Sequence, residues 1–152
     1  MPELAEILTP GRTACRIPGV SKKRLFETIA KIINRDQVSL PYSLVLSSLI
    51  SREKLGSTGL GHGIAIPHCR IDNCTHAMGV LVTLEEAIDF DAPDNQPVDM
   101  LFVLLVPQEA EQKHLDILAS VAGLFSQDEF CNSIRNAKDT ESLYATAVNW
   151  AQ

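Results

Sequence analysis

The feature that most constrains the fold is an apolar segment at residues 98–106, VDMLFVLLV, which ends at Pro107. Its uninterrupted apolar part is seven residues long, far short of the ~20 residues that span a bilayer. A strand that is apolar on both sides must be covered on both faces, as the central strands of α/β sheets are. The segment therefore predicts a central β-strand with a layer of structure on each side.

Helical patterning in the flanking segments supplies that cover. Ser21 is a good N-cap for an amphipathic helix that runs to about residue 35. Pro41 suits the first turn of a second helix, which we expect to end before Gly56. Further helices are predicted at residues 111–125 and 128–136, and a last one after a cap at Asp139 or Thr140.

Shorter apolar segments at residues 64–66 and 78–84 are predicted strands, whereas residues 85–97 are polar and rich in turn formers. The N-terminal stretch is expected to be irregular, with one helical turn at LAEIL. Strands and helices mixed around a doubly covered strand predict an α/β sandwich. We expect a single domain over residues 1–152, with its core at about 7–150.

Composition excludes several classes of protein. A hydrophobic fraction of 45% and a charged fraction of 21% fit neither a disordered chain nor a membrane protein. The N-terminal sequence MPELAEILTP lacks a basic segment followed by a long apolar one, so we expect no signal peptide. Four cysteines without a CxxC pair are too few for a disulfide scaffold. Free thiols and a cytoplasmic location are therefore expected.

Charge is unevenly distributed along the chain. The net charge is −6, but residues 1–76 carry ten basic and six acidic side chains, against three and thirteen in residues 77–152. The basic first half leaves open a helix-turn-helix formed by residues 21–35 and 41–55. The second of these helices has few donors, its segment YSLVLSSLI is expected to be buried, and the whole chain is acidic. We therefore expect no nucleic-acid partner.

The segment that points to chemistry is GSTGLGHGIAIPH, residues 56–68, which holds four of the eight glycines. Glycine permits positive φ angles and close backbone approach, so successive N–H groups can form an anion-binding nest. Neutral imidazole is a competent nucleophile near neutral pH. His68, after a strand and a proline, is therefore a candidate phosphoryl carrier, and Arg52 is a nearby candidate cation.

Other interpretations of this segment stay open on spacing alone. A single histidine near glycines is often only structural. A metal site could draw on potential ligands that lie within fifteen residues, but none has CxxC or HxxxH spacing. Cys69 could be a nucleophile with a histidine base, although neighbouring side chains on an extended segment point to opposite faces. We expect no metal and no cofactor. The potential metal ligands are His62, His68, Cys69, Cys74 and His76.

Three longer segments carry a family resemblance: SREKLGSTGLGHGIAIPHCR (51–70), FDAPDNQPVDMLFVLLVP (90–107) and QKHLDILASVA (112–122). Together they resemble the IIA domain of the fructose/mannitol class of the bacterial phosphoenolpyruvate-dependent phosphotransferase system. REKLGSTG and DNQPVD look most like its nitrogen-regulatory branch. The resemblance runs from about residue 7 onward. It implies the mannitol-type IIA fold, an α/β sandwich with a mixed central sheet flanked by helices.

The resemblance also implies roles for individual residues. His68, in IAIPH, matches the phosphoryl acceptor, which forms a tele-phosphohistidine. His114, in QKHL, and Arg52, in REKLGSTG, match the side chains that stabilise the phosphoryl group. Cys69 stands where many members have a small residue such as glycine, a difference that leaves the acceptor in place.

The pathway implied by the resemblance runs from phosphoenolpyruvate through a nitrogen-branch enzyme I to the histidine phosphocarrier NPr or HPr, and then to this chain. In one functional class the chain is a regulator whose phosphorylation state controls targets such as potassium-transport proteins or sensor kinases. In the other it is a sugar-specific IIA component that feeds the IIB domain of a permease. A single domain with no fused partner favours the regulator. A weak homodimer is also among the expected partners.

Overall fold

The computed structural model describes residues 4–150, in which six strands form one sheet and five α-helices flank it. Residues 1–3 and 151–152 of the predicted domain lie outside the described residues. Short 3-10 turns at Leu4–Glu6 and Pro10–Arg12 precede the first strand. The elements are β1 (Thr13–Ile17), α1 (Lys22–Asp36), α2 (Tyr42–Lys54), β2 (Gly59–Gly61), β3 (Ile64–Ala65), β4 (His68–Ile71), β5 (Met78–Ile88), β6 (Val98–Pro107), α3 (Gln112–Phe125), α4 (Asp128–Asn136) and α5 (Thr140–Val148).

Strand β6 lies at the centre of the sheet. One edge of β6 pairs antiparallel with β5, and the other pairs parallel first with β3 and then with β4. Outside these, β1 is parallel to β5 and β2 is antiparallel to β3. The sheet is therefore mixed, with the order β1-β5-β6-β3-β2 and β4 beside β6. The predicted fold class, an α/β sandwich with a mixed central sheet, is confirmed.

The side chains of β6 alternate between two apolar cores. Leu101, Val103 and Leu105 belong to the core that α1 and α2 cover. The residues between them, with Met100, belong to the core that α3, α4, α5 and the N-terminal turn cover. The prediction of a strand covered on both faces is confirmed. Among residues 4–150, no helix is both long and apolar enough to cross a membrane.

Side-chain caps fix the starts of two helices where the sequence predicts them. The Ser21 hydroxyl accepts the N–H of Arg24 at 3.2 Å, and α1 begins one residue after the serine. The Asp139 carboxylate accepts the N–H of Ser142 at 2.7 Å at the start of α5. These bonds satisfy donors that the first turn of a helix leaves unpaired.

The structure differs from the expectation at four strands. Strand β2 lies in the segment expected to be a glycine-rich loop before the strand at residues 64–66. Strand β1 lies in the stretch expected to be irregular, and β4 begins at His68 directly after Pro67. Strand β5 extends to Ile88 instead of ending near residue 84, because Glu85 and Glu86 continue it with exposed side chains. In β1 the alternation is broken by Arg16, which has φ +50° and donates its N–H to Thr83 Oγ1.

Two glycines provide a packing test of this core. A Cβ added at Gly79 would collide with the ring of Phe102, which is fully buried against Phe125. Because a close-packed core yields little, we expect Gly79→Ala to lower the free energy of unfolding by about 1–3 kcal/mol. At Gly123, in α3, nothing lies within 4 Å of an added Cβ. Gly123→Ala should raise the free energy of unfolding by about 0.5–1 kcal/mol.

Urea unfolding with an unchanged dependence on denaturant measures both effects. Equal free energies of unfolding for the two variants would contradict the packing of Phe102 over β5.

Candidate functional site

The three candidate residues from the sequence line one open cleft of about 700 Å³. Strand β4 supplies His68, the last turn of α2 supplies Arg52, and the first turn of α3 supplies His114. Leu104 and Val106 of the central strand also line the cleft. Three elements distant in sequence thus meet beside the carboxyl-terminal half of β6.

The His68 ring is fixed by a backbone carbonyl. Its Nδ1 lies 2.9 Å from the carbonyl oxygen of Ile66, on the other side of Pro67 in the chain. A carbonyl oxygen only accepts hydrogen bonds, so this contact requires the proton on Nδ1. The neutral ring then carries its lone pair on Nε2. Nε2 is therefore the nucleophilic atom of His68.

The His114 ring is fixed in the opposite sense. His114 is buried, and its Nδ1 accepts the N–H of Glu111 at 2.8 Å while the Glu111 side chain caps the His114 N–H in return. This is a capping box with histidine at the third helical position. Because Nδ1 is the acceptor, the neutral ring carries its proton on Nε2. The cleft thus holds one imidazole that can attack through Nε2 and one that can donate from Nε2.

Arg52 is held at one end of its guanidinium group. Its Nη1 donates to the carbonyl oxygen of Gly56 at 3.0 Å, at the end of α2. Within residues 4–150 the ion pairs do not include Arg52, and the neighbouring Glu53 is paired with Lys22. A surface salt bridge therefore does not explain Arg52, and the rest of its guanidinium group keeps N–H donors for an anion.

Arg70 lines the same cleft and is a residue that reasoning from sequence missed. It lies two positions after His68 on β4, so both side chains project from the same face of the strand. The side chain of Arg70 is exposed and makes no hydrogen bond or ion pair within residues 4–150. The period-two alternation would have revealed it, had the segment after Pro67 been taken as a strand.

The charged side chains that line the cleft are all basic. Arg52 and Arg70 both line it, whereas none of its lining residues in the described chain is Asp or Glu. Guanidinium groups form strong, charge-assisted hydrogen bonds with phosphoryl oxygens. The cleft is therefore suited to an anion.

The glycine loop does not lie at the cleft. Gly61 and Gly63 have φ angles of +95° and +82°, and they form the turn between β2 and β3. The N–H of His62, between them, donates to Asp94 Oδ2 at 3.1 Å. The bonds from Gln96 and then His62 lower the pKa of Asp94. Since no residue of 56–67 lines the cleft, the expectation of an anion nest formed by these glycines beside His68 is wrong.

Cys69 is not a nucleophile in this arrangement. It follows His68 on β4, but its side chain is buried in the core under α1 and α2. Burial, and then the proximity of Cys74, raise the pKa of Cys69 to about 12. The thiol is therefore protonated at neutral pH, and only the thiolate is reactive. Within residues 4–150, no group of three His, Cys, Asp or Glu side chains is arranged to hold a metal ion.

Comparison with known proteins bears on the family and the fold of this chain. Residues 6–149 match the family described as "Phosphoenolpyruvate-dependent sugar phosphotransferase system, EIIA 2". The chain belongs to the EIIA 2 family. This EIIA 2 chain is 43% identical over 149 residues to the nitrogen regulatory protein of Pseudomonas aeruginosa, covering 98% of this chain and 97% of that protein.

Solved structures agree with this assignment. The nitrogen regulatory protein IIA-Ntr from Neisseria meningitidis matches the EIIA 2 chain with a TM-score of 0.87 and 40% identity, over 95% of this chain and 98% of that one. IIA mannitol from Escherichia coli matches with a TM-score of 0.74 over 91% and 97% of the two chains, at 12% identity, a likeness of fold alone. The resemblance read from the sequence, with its mannitol-type fold, is confirmed.

The state of Cys69 in the EIIA 2 chain can be tested by alkylation. We expect iodoacetamide at pH 8 to leave Cys69 unmodified in the native protein, because its thiol is buried and protonated. In urea the same residue should react. Mass spectrometry of the peptides measures both, with half-buried Cys15 as the internal comparison. Rapid modification of native Cys69 would contradict its burial.

Proposed function

We propose that this EIIA 2 protein is a regulatory phosphocarrier in the cytoplasm. It accepts a phosphoryl group on Nε2 of His68 from the histidine phosphocarrier NPr or HPr. Its phosphorylation state then controls target proteins in nitrogen, carbon or potassium metabolism, such as potassium-transport proteins or sensor kinases. The observation that carries the proposal is that His68, with its lone pair on Nε2, shares one basic cleft with Arg52 and His114.

The transfer step is an in-line displacement between two imidazoles. The lone pair of His68 Nε2 forms the new N–P bond while the N–P bond of the donor's phosphohistidine breaks, and the donor nitrogen keeps that electron pair. Attack leaves positive charge on the His68 ring. The Nδ1–H bond to the carbonyl oxygen of Ile66 stabilises this charge, because the carbonyl presents its negative end to the ring. The ring geometry therefore favours phosphorylation at Nε2.

The cleft provides donors for the phosphoryl oxygens. In the transition state negative charge is spread over three equatorial oxygens, so catalysis consists of positioning and electrostatic stabilisation. We assign this role to the N–H groups of Arg52 that Gly56 does not occupy and to Nε2–H of His114. Arg70 adds a second positive charge on the His68 side of β4.

Two properties of the cleft support a regulatory function. Phosphorylation adds about −1.5 to −2 charges to a cleft lined by two arginines and no carboxylate of the described chain, so it largely cancels the local positive charge. Leu55 and Leu115, which also line the cleft, are 84% and 52% exposed. Exposed apolar side chains beside a charge that changes are suited to partners that distinguish the two states. The Pseudomonas and Neisseria relatives are also named as nitrogen regulatory proteins.

The acceptor is tested with enzyme I, NPr and labelled phosphoenolpyruvate. We expect the wild-type protein to gain acid-labile, alkali-stable phosphate and His68→Ala to gain none, since the attacking nitrogen is gone. His76→Ala, at an exposed histidine that does not line the cleft, is the matched control and should be phosphorylated normally. Phosphate on His68→Ala would refute the assignment.

His114 has both a structural and a proposed catalytic role, and two variants separate them. Gln and Glu at the third helical position can each accept the Glu111 N–H, so His114→Gln and His114→Glu should both keep the helix cap. Only Gln retains an N–H donor. We expect His114→Glu to slow transfer about 100-fold or more and His114→Gln to slow it less, with both folded.

Transfer rates and thermal unfolding of the two variants are measured together. A wild-type transfer rate in His114→Glu would show that His114 acts only as a helix cap.

The alternative function is that of a sugar-specific IIA component. The family's description and the fold shared with mannitol IIA are consistent with it. Pull-down with unphosphorylated and phosphorylated protein separates the two functions. A regulator should capture a partner in one state only. Efficient transfer to a IIB domain of a fructose/mannitol-type permease, with no partner that distinguishes the states, would establish the alternative.

A further inference from the structure

A nearly buried carboxylate, Glu53, follows Arg52 in the last turn of α2 and takes no part in the mechanism above. Its side chain is 7% exposed. Oε1 accepts the hydroxyl of Thr58 at 2.6 Å, and Oε2 accepts both the Thr58 N–H at 3.1 Å and Lys22 Nζ at 2.7 Å. A charge this buried is stable only when it is paired and its oxygens are bonded. Glu53 meets both conditions.

The partner of Glu53 is itself tied to the core. Lys22 is the first residue of α1, and its Nζ also donates to the carbonyl oxygen of Phe90 at 3.0 Å. The ammonium group lies 4.3 Å from the centroid of the Phe90 ring, which is fully buried. The Glu53 carboxylate thus joins the end of α2 to the start of α1 and to the segment that follows β5.

The bonds of Glu53 and Arg52 enclose the same short loop. Arg52 Nη1 is bonded to the carbonyl oxygen of Gly56, and Glu53 holds the hydroxyl and N–H of Thr58. Only Ser57 lies between Gly56 and Thr58, and its hydroxyl also donates to the Phe90 carbonyl at 3.1 Å. The position of the Gly56 carbonyl, and with it one end of the Arg52 guanidinium, therefore follows from where Thr58 is held.

We propose that Glu53, through its bonds to Thr58 and Lys22, is the positioning residue that holds Arg52 in the cleft. This inference rests on the proposed phosphoryl transfer to His68. Arg52 touches the phosphoryl group, whereas Glu53 acts only through Arg52. We call the bonds from Glu53 to Thr58 and Lys22 the clasp. Displacement of a catalytic group by about 1 Å can slow a reaction about 100-fold, so loss of the clasp should lower the rate of transfer.

Matched substitutions at Thr58 test the clasp with little change in packing. Thr58→Val removes the hydroxyl that Glu53 accepts, and Thr58→Ser keeps it. We expect the rate of transfer at saturating NPr to fall about 10-fold in Thr58→Val and up to about 100-fold in Glu53→Gln. Thr58→Ser should stay near the wild-type rate. The NPr concentration at half-maximal rate should change little, since neither Glu53 nor Thr58 lines the cleft.

A double-mutant cycle with Arg52→Ala separates positioning from general destabilisation. If Glu53 acts through Arg52, Glu53→Gln should have almost no further effect on the transfer rate once Arg52 is absent. If Glu53→Gln slows the Arg52→Ala protein by the same factor as it slows the wild type, the proposal is overturned. It is equally overturned if Thr58→Val and Glu53→Gln transfer at the wild-type rate.

A measurement that needs no phosphoryl transfer keeps the inference separate from the proposed function. The Nε–H resonance of Arg52 should shift, and its order parameter should fall, in Thr58→Val but not in Thr58→Ser. An unchanged Arg52 resonance in Thr58→Val overturns the positioning role even if His68 is phosphorylated. Absence of transfer in the wild type, with the Arg52 resonance shifted, would reject the proposed function and the rate role together, while the clasp itself would stand.

Discussion

The arrangement of the whole molecule depends on β6, a strand buried on both faces, whose backbone groups must all be paired. Strand β5 satisfies one edge, and β3 and β4 share the other in succession. Pro67, between β3 and β4, has no N–H to pair, and its carbonyl oxygen accepts the N–H of Leu104 at 2.9 Å. This succession sets His68 opposite Leu104, at the start of β4. The place of the acceptor thus follows from the hydrogen bonding of the central strand.

Backbone groups also set the chemistry of the two histidines. His68 donates a hydrogen bond from Nδ1–H to a backbone carbonyl, whereas His114 accepts a backbone N–H at Nδ1. One ring therefore presents a lone pair at Nε2 and the other presents a proton there. The uneven charge of the chain has a related meaning. Arg52, Arg70 and His68 come from the basic first half and His114 from the acidic second half. Folding joins the two halves at one cleft whose described lining holds no carboxylate.

Much of the fold was predictable because it depends on local signals: the cap at Ser21, the cap at Asp139 and the apolar run of β6. Strand β1 was missed because Arg16 interrupts its alternation. The candidate acceptor could be predicted from its sequence segment, but which residues lie near it in space could not. The glycines near His68 in sequence lie at the far end of β3, and Arg70 shares the face of His68 only because β4 begins directly after a proline. Glu53 has the sequence context of a surface charge, and its burial depends on Lys22 and Thr58.

The central claim is that the fold leaves the lone pair of His68 on Nε2 and that this atom takes the phosphoryl group. The imidazole nitrogen NMR spectrum of the protein before and after phosphorylation tests it most directly. We expect His68 to carry a proton on Nδ1 in both states, with phosphorus coupled to Nε2 after transfer. His114 should keep an unprotonated Nδ1 before transfer. Phosphorus coupled to Nδ1 of His68, or to any other residue, would contradict the claim.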